Sequence, residues 1–226
     1  MTDLRFDGRV AIVTGAGGGL GREHALLLAY RGARVVVNDI GGSMAGEGVD
    51  DAPAAAVVEA IRERGGQAVA DSHSVATPEG GRDVVRTALD AYDRIDIVVN
   101  NAGILRDKPF HEMTPDQLDP VIDVHLKGAF HVTVPAWSVM REQGYGRVVN
   151  TTSAAGLLGS ARKSGYGAAK AGLLGFTRVL AVEGAAHGIR VNAVAPVAAT
   201  RMLAGSLADA GIGGANGRPS IRRPCR

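Results

Sequence analysis

Thr14-Gly15-Ala16-Gly17-Gly18-Gly19-Leu20-Gly21 is the stretch on which the reading turns. Before it runs Arg9-Val10-Ala11-Ile12-Val13, short, apolar and partly β-branched. After it comes the helical stretch Leu20 to Tyr30, where Leu26, Leu27 and Leu28 stand amid alanines. Glycines in a strand-to-helix turn permit φ > 0 and let the backbone approach a pyrophosphate closely. The helix behind them offers unpaired N–H groups and the positive end of its dipole. The context predicts a dinucleotide-binding turn contacted through Thr14, Gly15, Gly19, Leu20 and Gly21; a flexible loop is the alternative.

Working outward, similar apolar runs recur at 33–38, 67–70, 95–99, 147–151 and 189–194. Most are nearly continuous in apolar character, as strands covered on both faces require. Helical patterns separate them: Ala54 to Arg64, Pro78 to Tyr92 and Tyr166 to Ala186, with Thr114-Pro115 reading as an N-cap followed by proline at the first helical position. Strand–helix alternation of this kind predicts an α/β fold, a doubly wound parallel sheet of the Rossmann type in a single domain over 1–205. The segment Gly41 to Gly48 reads as a loop inserted after the second strand, and 206–226 as an irregular, basic, disordered tail.

Composition excludes several classes. No apolar run reaches the length of a bilayer span, and Met1 to Asp7 has no apolar signal region, so neither a membrane anchor nor a secretory signal is expected. The single cysteine, Cys225, excludes an intrachain disulfide and suits a cytoplasmic protein. A balance of 25 basic and 23 acidic residues gives +2, too little to suggest nucleic-acid binding. No metal is expected. The 32 glycines and the 4% aromatic content fit many tight strand-to-helix turns.

Asp39 ends the second strand-like run, where a carboxylate accepts hydrogen bonds from ribose hydroxyls and repels a 2′-phosphate. The glycine turn holds no Arg or Lys to counter it, so NAD is the expected cofactor. Further along, Tyr166 and Lys170 are one helical turn apart and share a face. A phenol with an ordinary pKa near 10 is no base at neutral pH. A nearby ammonium, helped by a nicotinamide-ribose hydroxyl and the oxidised ring's charge, favours phenolate; a shift of about three units takes about 4 kcal/mol. Ser153, after the fifth strand, is placed to hold a carbonyl or alcohol oxygen beside Tyr166, although a lone serine also commonly caps a helix.

Together these residues resemble the short-chain dehydrogenase/reductase family over about Phe6 to Met202. The turn fits that family's T-G-x-x-x-G-x-G, Asn100-Asn101-Ala102-Gly103 its N-N-A-G, and Ser153, Tyr166 and Lys170 its Ser and Tyr-x-x-x-Lys set. The resemblance implies that Tyr166 transfers the proton, Ser153 positions the substrate oxygen and Lys170 binds the nicotinamide ribose. It implies too that Asn101 lies beside the cofactor and that Ser74 and Val75 border the adenine. A narrower likeness, in Phe6-Asp7-Gly8-Arg9, Asn38 to Gly42, Asn101 to Asp107 and Val124 to Gly128, is to the dehydrogenase part of peroxisomal multifunctional enzymes type 2 and to bacterial single-domain relatives. That branch implies oxidation of (3R)-3-hydroxyacyl-CoA to 3-oxoacyl-CoA with NAD, in fatty acid metabolism.

Three departures accompany the likeness. His125 stands where most of the family has asparagine in a relay to the lysine, and reads either as part of that relay or as a packed helix histidine. His73 occupies the position of the acidic residue often found beside the adenine, with Asp71 two residues earlier. After Pro196 the family's substrate cover and seventh strand are expected to be missing, leaving a basic run ending Arg222-Arg223-Pro224-Cys225-Arg226. The family likeness implies a small-molecule substrate and a homodimer built on the helices around 115–143 and 164–187, with Trp137 and Phe176 either at that contact or in the core. Two further readings stay open: the same chemistry on a steroid or cyclic alcohol, and an NAD-binding remnant without activity.

Overall fold

A computed structural model describes residues 4–196. Six parallel strands form one sheet in the order β3-β2-β1-β4-β5-β6. They are β1 (Val10–Thr14), β2 (Arg34–Asn38), β3 (Gln67–Asp71), β4 (Ile97–Asn100), β5 (Gly146–Thr151) and β6 (Ile189–Val194). The helices are α1 (Gly19–Tyr30), α2 (Ala52–Arg62), α3 (Pro78–Tyr92), α4 (Pro115–Ile122), α5 (Gly128–Gln143), α6 (Ala154–Leu158) and α7 (Ser164–Gly184). This is the doubly wound α/β architecture that the alternating pattern predicts. The expected tail, domain boundary, missing seventh strand and missing cover all fall after residue 196, outside the described residues.

Strand side chains alternate between faces, and the two cores follow that parity. Ala11, Val13, Val35 and Val37 meet Leu26 of α1 and Val57, Val58 and Ile61 of α2. Val10, Ile12, Val36, Val98 and Val148 meet Val84 and Val85 of α3 and Val132, Ala136 and Met140 of α5. Burying each such valine or isoleucine stabilises the fold by about 2 kcal/mol. At the N-terminal end of the sheet, Asp96 accepts hydrogen bonds from Val10 N–H, Arg9 and Arg94. Burial pushes its carboxyl up, but those donors outweigh it and hold it below the usual carboxylate range.

Helix limits follow local chemistry. Thr77 caps α3 by accepting Gly80 N–H at 3.1 Å, with Pro78 next in the chain. Thr114 and Pro115 do open α4, but the threonine side chain makes no capping bond. Pro120 interrupts α4 and leaves the Asp116 carbonyl without its helical donor. Arg106 Nη1 donates to that carbonyl at 2.7 Å. Below Pro120 the helix widens into a π-turn over Asp123–Lys127, a feature concentrated at functional sites.

The strand order reverses between β1 and β4, so the crevice at the C-terminal ends of these strands is where ligands enter open α/β sheets. The glycine turn after β1 and the segments after β4 and β5 all lie at that end.

Candidate active site

The turn after β1 is fixed by close backbone approach. Gly15 has φ 64°, and a Cβ there would lie 2.7 Å from Ala102 Cα. A Cβ on Gly21 would lie 2.1 Å from the Gly15 carbonyl oxygen. Only glycine fits at either place. Thr14 Oγ1 accepts the N–H groups of Asn101 and Ala102 at 3.0 and 3.1 Å. Asn101 Nδ2 donates back to the Thr14 and Gly15 carbonyls at 3.0 and 3.1 Å. Asn101 thus ties the turn to the end of β4. Gly18 gives α1 no side-chain cap, so its first N–H groups are available to an anion. Gly19 follows at φ 52°, and Leu20 lies within the first turn of α1.

Asp39 closes the turn from the β2 side. Its Oδ2 accepts Gly17 N–H at 2.7 Å and its Oδ1 accepts Gly41 N–H at 2.7 Å. A carboxylate has about four acceptor sites, so Asp39 keeps capacity for further donors. The end of β3, the expected adenine border, is not a simple acidic pocket. Asp71 is buried and turned inward, accepting from Asn38, His73 and Thr87. His73 is left half exposed at the tip of β3. Ser74 Oγ accepts Ala76 N–H, and the Val75 side chain is buried in the second core.

The groups after β5 form the second half of the site. Ser153 caps the short helix α6, accepting Ala155 N–H at 3.2 Å, and is hydrogen-bonded with Tyr166. The serine therefore caps a helix while its hydroxyl stays beside Tyr166. Lys170 is buried, its Nζ 2.5 Å from the Thr151 carbonyl and 5.6 Å from the centre of the Tyr166 ring. Gly156 lets α6 lie against α7 here, because a Cβ would meet Lys170 C at 2.8 Å. Burial pushes the Lys170 ammonium down to about 7. Burial also pushes the Tyr166 phenol up, against the lowering hydrogen bond of Ser153, and the Asp107 charge adds to the rise. The sequence favours phenolate through the lysine; in the folded chain by itself, desolvation prevails.

His125 lies on the π-turn with its ring edge-on to Tyr166, centres 5.1 Å apart. Its Nε2 is 3.0 Å from Ile104 N and 2.8 Å from Ile104 O, so one tautomer accepts and the other donates. Burial, followed by the Lys170 charge, holds the imidazole well below its ordinary value, and it is neutral at pH 7. Its Nδ1 is buried and has no partner among the described residues. Gly103 makes this approach possible, since a Cβ there would lie 2.2 Å from the ring.

Some features of the site reach beyond the motifs. A buried polar chain runs from Thr133 through Asn100 and Asn150 to Thr177, with links of 2.9, 2.8 and 2.9 Å. Asp107 and Lys163 pair at 2.6 Å beside Tyr166. The only sequence signal for the pair is the proximity of each residue to a motif. Among the described residues, no group of three or more His, Cys, Asp or Glu could hold a metal ion. Among them too, no helix is long and apolar enough to cross a membrane.

Known proteins resemble this chain in sequence and fold. The short chain dehydrogenase family profile matches residues 9–210. A short-chain type dehydrogenase/reductase of Mycobacterium tuberculosis is 55% identical over 194 residues, covering 86% of this chain and 68% of that protein. The peroxisomal multifunctional enzyme type 2 of Drosophila melanogaster is 50% identical over 206 residues, covering 91% of this chain and 34% of that enzyme. The chain thus spans about a third of the multifunctional relative. The crystal structure of a short chain dehydrogenase from Mycobacterium avium matches with a TM-score of 0.79 at 46% identity, over 87% of this chain and 70% of that one. With a dinucleotide cradle and a Ser–Tyr–Lys group at the same end of a doubly wound sheet, the chain belongs to the short-chain dehydrogenase/reductase family and is an enzyme of that class.

Proposed function

We propose that this enzyme oxidises a secondary alcohol to a ketone with NAD, and that its substrate is a 3-hydroxyacyl-CoA yielding the 3-oxoacyl-CoA. The observation carrying the chemistry is the Tyr166 phenol, hydrogen-bonded with Ser153 and within 5.6 Å, ring centre to Nζ, of Lys170. The cradle fits a dinucleotide: glycine at 15, 17 and 21 lets the turn close tightly against Ala102, Asp39 and Asn101, and α1 behind it has no side-chain cap. Thr14, Gly15, Gly19, Leu20, Gly21 and Asn101 would hold the pyrophosphate side, Asp39 the adenosine ribose, Ser74 and Val75 the adenine border, and Tyr166 and Lys170 the nicotinamide ribose. A bound NAD supplies the two-electron acceptor. Ser153 holds the substrate oxygen, Tyr166 takes its proton at the phenol oxygen, and Lys170 favours the phenolate that does so. His125, edge-on to the ring, keeps Tyr166 in place.

The substrate assignment draws on the likeness to the multifunctional branch and on exposed residues of the segments after β4 and β5. Phe110, Leu157 and Leu158 are exposed, and Lys108 N–H donates to Arg162 O at 3.0 Å, bringing two basic residues together. Exposed apolar surface beside basic groups suits an acyl chain on a phosphorylated carrier. Incubation with NAD and a (3R)-3-hydroxyacyl-CoA should give NADH; turnover of cyclic alcohols in its place would remove the acyl-CoA assignment. We place the enzyme in the cytoplasm, as its single cysteine suits. We pair two copies through α5 and α7, where Phe130 and Phe176 stack at 3.9 Å and Val134, Val179 and Val182 are exposed. Trp137, partly buried against the second core, belongs to the interior of that region.

The choice of NAD has its own test. Asp39→Asn keeps an acceptor for a backbone N–H and removes the charge. The ratio of kcat/KM for NADP to that for NAD should rise by about tenfold or more, since a tenfold ratio corresponds to about 1.4 kcal/mol of lost repulsion. An unchanged ratio would take away the basis for preferring NAD.

A further inference from the structure

The Asp107–Lys163 ion pair has no part in the chemistry proposed above, yet the fold builds it at a cost. Lys163 Nζ lies 2.6 Å from Asp107 Oδ2, with the two side chains only 14% and 10% exposed. Such a pair is weak support for stability, because apolar residues of similar volume often serve as well. Lys163 is also the residue preceding α7, the helix end at which the dipole disfavours a cation. Arg162 beside it has φ 67°, a left-handed conformation that side chains rarely adopt. The Lys108–Arg162 backbone bond clamps the segment carrying Asp107 to the start of α7. Asp107 Oδ1 remains buried without a partner among the described residues.

What the pair does gain is its place. Lys163 Nζ is 5.6 Å from the centre of the Tyr166 ring, the same distance as Lys170 Nζ. The groups facing the phenol are Lys163 and Lys170 from the α7 end, Asp107 from the segment after β4, His125 from the π-turn and Ser153 from the α6 cap. His125 is neutral, Ser153 uncharged and burial brings the Lys170 ammonium down to about 7, so the Asp107–Lys163 pair supplies the lasting charges of the local field.

We propose that Asp107 and Lys163 are positioning residues for Tyr166, and that the net charge of their pair fixes the pH range in which the phenol exchanges its proton with the substrate oxygen. The proposal rests on the reading of Tyr166 as the acid–base group. Asp107 acts against the phenolate and Lys163 in its favour, so the two single neutralisations must move the enzyme in opposite directions. A pair that only fastens two segments together has no reason to do so.

The test is the pH profile of kcat/KM for the full chain and for Asp107→Asn, Lys163→Met and the double variant. Asp107→Asn should move the limb belonging to Tyr166 down by about one pH unit, and Lys163→Met up by about the same. The double variant should return close to the parent, and Lys163→Arg should keep the parent limb. Titration of the tyrosinate absorbance, each variant measured against its own Tyr166→Phe partner, should give the same order without turnover. Shifts in one direction only, or none, overturn the pairing proposal while leaving Tyr166 in its role. Full activity of Tyr166→Phe overturns the reading beneath it.

Discussion

Tyr166→Phe is expected to lower kcat by about 10³-fold or more while leaving NAD affinity within about twofold, a loss typical of removing a positioned acid–base group. The neighbours are poor substitutes. Lys170 is occupied with the Thr151 carbonyl and His125 Nε2 with Ile104. Ser153 is already an acceptor for Ala155 N–H, and an unassisted alkyl hydroxyl is a far weaker acid than a phenol, so its alkoxide is out of reach at neutral pH. The fold should survive, because phenylalanine keeps the ring that His125 meets edge-on and loses only the hydrogen bond with Ser153. Steady-state turnover and equilibrium NAD binding, measured on the same preparation, separate the two effects. Turnover within tenfold of the parent would remove Tyr166 from the reaction.

Much of this arrangement is legible in the sequence because it is local. The apolar runs name all six strands within a residue or two, since strands buried on both faces must be apolar almost throughout. Pro78 and Asp93 bracket α3 through fixed φ and a left-handed cap, both short-range effects. Gly15 and Gly19 are recognisable because their φ values of 64° and 52° require glycine. Tyr166 and Lys170 meet by helical spacing alone.

The rest depends on contacts that sequence separation conceals. Asp107 and Lys163 are 56 residues apart and meet only because β4 and β5 are neighbours in the sheet. The π-turn beneath His125 is a slip of backbone hydrogen bonding that no residue type announces. Asp39 is readable as a carboxylate near a ribose, but not as a partner of Gly17 N–H. The burial that pushes the Tyr166 phenol up in the chain by itself is hidden for the same reason: spacing shows that a lysine is near, whereas burial is a property of the whole fold.

Lys170→Met should make the cofactor-free protein more stable at pH 7 by about 2 to 4 kcal/mol while reducing kcat by about 10²-fold or more. The ammonium falls from its ordinary 10.5 to about 7 because burial penalises the charged form. Between those values the unfolded chain holds a proton that the folded chain releases, so folding stability rises with pH across that window. The full penalty is present below about pH 7 and is gone above the ordinary value, and the shift corresponds to about 5 kcal/mol. Methionine matches the length of the stem and carries no charge, although the Thr151 carbonyl loses its donor, which returns about 1 kcal/mol. Denaturant unfolding from pH 7 to 10 should therefore slope upward for the parent and lie nearly flat for the variant. Equal slopes would mean that Lys170 is not the desolvated cation described. A variant that is both more stable and slower would give the buried lysine a chemical reason for its position, the phenol one helical turn before it.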